Sequence, residues 1–174
     1  MKIYDGYDRI DLTVGMRNKD RPDGPDGQRG WSAGEQMEAL KYYAPEEFEV
    51  LADFTTGGYQ GDIYGIARWN GKEKRYIFFK DSYGSCSGCD GLEDEDGYRY
   101  VRDVLRNNTW QFLSLADVLT YIDEKDLRGE SWYGFDKIAD DVTGWLRKEI
   151  GNIAVSQHQK DDVIVNVMGH RRQR

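Results

Sequence analysis

Two apolar runs separated by a pair of turn residues constrain this chain more than anything else in it. "DIYGIARW", Asp62 to Trp69, and "RYIFFKD", Arg75 to Asp81, are rich in aromatic residues and isoleucine, and Asn70-Gly71 stands between them. Asn-Gly favours the left-handed backbone of a tight hairpin turn, so the two runs are expected to pair as antiparallel strands. "FEVLADF", Phe48 to Phe54, supplies a further strand just upstream. Consecutive strands of this kind predict a meander. With helical patterns around it, the fold class is α+β, an antiparallel sheet packed against several α-helices.

The helical patterns carry their own punctuation. Ser32 followed by Glu35 forms a capping box, and Met37, Leu40 and Tyr43 or Ala44 make one face until Pro45 stops the helix. "GYRYVRDVLRNN" places Tyr100, Val104 and Leu105 on one side. "SLADVLTYI" opens with Ser114 as a cap and Asp117 three residues on. "YGFDKIADDVTGWLRKEIG" aligns Phe135, Ile138, Val142, Trp145 and Leu146, with Gly151 as a stop signal. The alternation in "RIDLTV", Arg9 to Val14, predicts a strand, as does the late run "DDVIVNVMG".

A chain of 174 residues without an interdomain linker or internal repeat is expected to form one domain, residues 1–174. Residues 17–30 hold two Pro-Asp-Gly triplets and no large apolar side chain, which predicts a mobile loop. This loop lacks the acidic ligands of a calcium loop at the first and third positions. Residues 169–174 end in the basic tail "HRRQR".

The net charge of −8 opposes direct nucleic-acid binding and adhesion to anionic membranes, and it suits a basic protein surface as partner. The N-terminus lacks an apolar signal stretch and no run approaches a membrane span, so the expected location is the cytoplasm, of a host cell if the chain is phage-encoded.

The stretch "KDSYGSCSGCDGLEDEDGYRY" contains both cysteines, Cys86 and Cys89. A Cys-x-x-Cys turn is half of a structural zinc site, and Asp81 or Asp90 could add oxygen ligands. The two histidines, His158 and His170, are far away and too widely spaced to complete it. Redox use of the pair needs a stabilised thiolate. The six acidic residues from Asp81 to Tyr98, with no Lys or Arg among them, oppose one. The bland reading has the cysteines as small apolar residues in a Gly/Ser-rich turn with no cofactor. The run Glu93, Asp94, Glu95, Asp96 matches a calcium loop only in part, since Leu92 falls on its first ligand position. These four acids, with the aromatics Trp31, Trp132 and Tyr133, are the candidate binding surface.

Tyr59-Gln60-Gly61-Asp62, two strands, "YGSCSGCDG" and "WQFLSLADVLTYI" together resemble a loose group of small uncharacterised phage and bacterial proteins. In that group a Y-x-G-D strand precedes a G-S-C-S-G-C-D turn. The likeness spans Gly57 to Ile122 and implies kinship without an activity. There is no Walker loop, dinucleotide fingerprint or zinc-protease helix. The expected function is that of an acidic, non-enzymatic binding protein of phage or mobile-element type, engaging a host protein such as a nucleic-acid-handling or defence factor. The alternatives are a metal- or thiol-dependent enzyme centred on Cys86, Cys89 and Asp90, and a virion or assembly component.

Overall fold

A computed structural model describes residues 9–21, 32–56, 61–84, 97–124 and 142–157. The described residues form an α+β fold. Its elements are α1 (Ala33–Tyr43), β1 (Phe48–Thr55), β2 (Gly61–Trp69), β3 (Arg75–Tyr83), α2 (Gly97–Asn107), β4 (Thr109–Phe112), α3 (Leu115–Glu124) and α4 (142–157). The strands make one antiparallel sheet in the order β1-β2-β3-β4, the expected meander.

Both faces of the sheet are covered. Ile63, Ala67, Trp69, Ile77, Phe79 and Tyr83 pack against α1 and α2, while Tyr64, Ile66, Phe78 and Phe112 pack against α3 and α4. Period-two alternation therefore sends apolar side chains into two separate cores, and β2 reads as a nearly continuous apolar run. Gly65 is part of this packing: a Cβ there would lie 1.9 Å from Cζ of Phe79, its cross-strand partner. On the opposite face Phe78, Trp110, Phe112 and Tyr121 form an aromatic cluster with centroid separations of 5.3–5.9 Å.

The hairpin is present, with a longer connection than Asn-Gly alone would give. Trp69 pairs with Arg75, so residues 70–74 form the loop. Asn70 serves as a tether: its N–H donates to the Glu47 carbonyl and its side chain to Glu49 Oε2. Gly71 is needed for room, because a Cβ there would meet the Trp69 indole Nε1 at 2.3 Å.

The capping box at Ser32 and Glu35 forms as the sequence predicts. At the other end of α1, the Arg17 guanidinium donates to the carbonyls of Lys41 and Ala44, and the Asn18 side chain donates to that of Tyr42. These bonds satisfy carbonyls that a helix end leaves open. Ser114 accepts from the Asp117 N–H at 3.1 Å and so caps α3.

Two local expectations are corrected. Arg9 to Val14 is a turn, not a strand. Asp11 Oδ1 accepts both the N–H and the hydroxyl of Thr13, which curls the chain, and Gly15 then takes a positive φ of 83°. Ile10 still meets the sheet, but through a side chain: Gln111 accepts from its N–H and donates to its carbonyl, at 2.9 and 2.7 Å. Gly151 does not stop α4. The helix continues through it, Ile153 joins the core, and Tyr76 donates to Gln157 at 2.6 Å. The late strand "DDVIVNVMG", residues 22–30 of the expected loop and the tail 169–174 lie outside the described residues.

Candidate functional site

Asp81 is the sequence-selected site residue that the structure describes. Cys86, Cys89, Asp90, Glu93, Asp94, Glu95, Asp96, Trp31, Trp132 and Tyr133 lie outside the described residues. Among the described residues, no three His, Cys, Asp or Glu side chains converge on a possible metal position. No helix among them is long and apolar enough to cross a membrane.

Asp81 stands near the end of β3, opposite Ile63 of β2, on the face covered by α1 and α2. It ties α2 to the sheet. Tyr100 donates its hydroxyl to Asp81 Oδ2, and the Asn108 amide, just past the end of α2, donates to Oδ1 at 3.1 Å. The backbone reinforces the junction, with the Lys80 N–H donating to the Asn108 carbonyl. Burial pushes the Asp81 carboxyl up from 3.8 to about 6, and the negative charge of Asp62 adds to the rise. The bonds from Tyr100, the Ser82 backbone and Asn108 act the other way.

Beside Asp81 lies a small cavity lined by Gln36, Met37, Leu40, Ile63, Phe79, Tyr100 and Val104. About 10 Å³ is open to the centre of a water molecule, room for one water and not for an organic substrate. Gln36 was not anticipated as a site residue. It shares a stripe with Leu40 and Tyr43 at helical spacing, and a polar residue within an otherwise apolar stripe is the signal that would have found it. Chemically, this arrangement can hold or release a proton near pH 6 and can hydrogen-bond one water-sized guest.

A second feature is electrostatic. From residue 42 to residue 67 the chain has no Lys or Arg, while Glu46, Glu47, Glu49, Asp53 and Asp62 occur there. Glu46, Glu47, Glu49 and Asp53 are exposed, and the last two lie on β1, at one edge of the sheet. Glu49 is held by Arg68 at 2.6 Å and by Asn70. The sheet shifts register between Val50 and Ala52, a bulge of the kind that discourages an edge strand from pairing with its own copies.

Compared with protein-family models, curated proteins and solved structures, the chain matches none.

Proposed function

We propose that this chain is an acidic, non-enzymatic binding protein of phage or mobile-element type that engages a basic surface of a host protein in the host cytoplasm. The observation that carries the reading is the base-free stretch 42–67, which sets exposed carboxylates on and beside the outer strand β1 of a chain with net charge −8. Such a surface raises the encounter rate with a positively charged partner and repels nucleic acid and other acidic surfaces. Asp53, Glu46 and Glu47 are the residues assigned to first contact. The partner is a protein whose exposed face is rich in Lys and Arg, such as a nucleic-acid-handling or defence factor.

The test is capture from host lysate across a salt series, with the wild type beside the variant Asp53→Lys, Glu46→Lys, Glu47→Lys. The expected result is a partner retained at low salt, lost as salt rises, and weakened at least tenfold by the triple reversal. Both proteins should melt at similar temperatures, because surface changes of this kind cost little. Absence of any salt-sensitive partner, or equal capture by the reversed surface, overturns the reading.

A further inference from the structure

Asn70-Gly71 shapes the connection between β2 and β3, and the pair also carries a reactivity that its structural role does not use. The side-chain carbonyl carbon of an asparagine, Cγ, lies one ring closure away from the backbone nitrogen of the next residue. Attack by that nitrogen closes a five-membered ring. Glycine in the second position resists it least, because it has no side chain and the freest backbone. Of the asparagines at 18, 70, 107, 108, 152 and 166, Asn70 alone precedes a glycine.

The fold leaves both reacting groups open to solvent chemistry. Asn70 is exposed in the loop between the paired residues Trp69 and Arg75, so water and hydroxide reach it. Among the described residues no acceptor takes the Gly71 N–H, so no hydrogen bond holds the nucleophile back. Packing also fixes the glycine in place, since a Cβ at 71 would meet Trp69 Nε1 at 2.3 Å. One contact works in the other direction. Asn70 Nδ2 donates to Glu49 Oε2 at 2.8 Å, and Glu49 is itself held by Arg68 at 2.6 Å. The amide that must leave is thus anchored to β1.

We infer that Asn70 is a site of spontaneous deamidation and that its bond to Glu49 sets the rate. The Gly71 nitrogen loses its proton to hydroxide and attacks Asn70 Cγ. The new N–C bond forms, the Cγ–Nδ2 bond breaks, and Nδ2 takes a proton from water and leaves as ammonia. Water then opens the succinimide at either carbonyl, which gives aspartate or isoaspartate at position 70. One water is consumed, one ammonia is released, and no oxidation state changes. The product sets a carboxylate where the amide donated to Glu49, so repulsion replaces the tether and the loop is untied from β1.

The test is to age the full-length wild type and Glu49→Ala, warm and at mildly alkaline pH, and to follow each asparagine by peptide mapping and mass spectrometry. The expected result is loss of the Asn70 amide ahead of the other five asparagines, with isoaspartate in excess of aspartate and a rate that rises with pH. Glu49→Ala should speed the loss about fivefold, the factor that corresponds to about 1 kcal/mol. If that variant fails to fold, the wild type aged with and without guanidinium makes the comparison, and a faster loss in the denatured chain supports restraint by the fold. An Asn70 amide that outlasts the other asparagines overturns the site. Aspartate without isoaspartate overturns the cyclic route. Equal rates in wild type and folded Glu49→Ala, or in native and denatured wild type, overturn the control given to Glu49.

Discussion

Replacing Asp81 by Asn isolates the energetic cost of a carboxylate under α2. The amide has the shape of the protonated acid and does not ionise. In the wild type, burial raises this acid's pKa from 3.8 to about 6. Between those values the folded chain holds a proton that the unfolded chain has released. Stability from this group is therefore fully present below about pH 4, declines as pH rises through about 6, and then levels off. At about 1.4 kcal/mol for each tenfold change in proton affinity, the full effect is roughly 3 kcal/mol. Partial access of solvent to Asp81 lowers this towards roughly 1–3 kcal/mol. The assay is urea unfolding of wild type and Asp81→Asn at several pH values from about 4 to 8. Subtracting one protein from the other cancels every other carboxylate. The variant should gain about 1–3 kcal/mol on the wild type across that range, mostly between pH 4 and 6. A difference that stays flat with pH, or that grows in the wild type's favour as pH rises, refutes the reasoning.

Gly65→Ala drives a methyl group into the Phe79 ring, and the overpacked sheet should lose about 1–3 kcal/mol in chemical unfolding, whereas Gly144→Ala, with open space around it, should not be destabilised. Ser32→Ala removes one half of the capping box on α1, and a loss of about 1 kcal/mol is expected in the same assay. Cys86→Ser with Cys89→Ser should cost roughly 0.5–3 kcal/mol, with no effect of chelator on the wild-type melt. Collapse of that double variant, reproduced by chelator, would instead reveal a zinc site, whose loss removes on the order of 10 kcal/mol.

The strands β1 to β3, the capping box of α1 and the cap of α3 were readable because each depends on neighbours in sequence: an apolar run, or a Ser with a carboxylate three residues on. The strand β4, "TWQF", was missed. Four residues show no period, and its place is set by pairing with Tyr76 to Phe79, some thirty residues earlier. "RIDLTV" misled because alternation alone cannot reveal that Asp11 bonds its own backbone neighbour. Gly151 misled because a glycine stops a helix only when packing beyond it is absent, and here Ile153 and Gln157 hold the next turns. Asp81 was selected as an oxygen donor near the cysteines. Its link to Gln36, Tyr100 and Asn108 depends on three elements meeting in space, which local patterns do not encode.

The two cores on either side of the sheet differ in how they are assembled along the chain. Among the described residues, one helical layer draws on 33–43 and 97–107, which flank the first three strands, while the other draws on 115–124 and 142–157. During synthesis the sheet and its first layer can close before the second layer has left the ribosome. Tyr64, Ile66, Phe78 and Phe112 then face water as a bare aromatic and aliphatic wall. The same division survives in the finished protein. Because the two clusters are separate, residues 115–124 and 142–157 are expected to open without the other core, and amide exchange should show them losing protection together and ahead of β2 and β3. Nascent chains are in this way most exposed to chaperone capture after β4 has emerged and before α4 has docked.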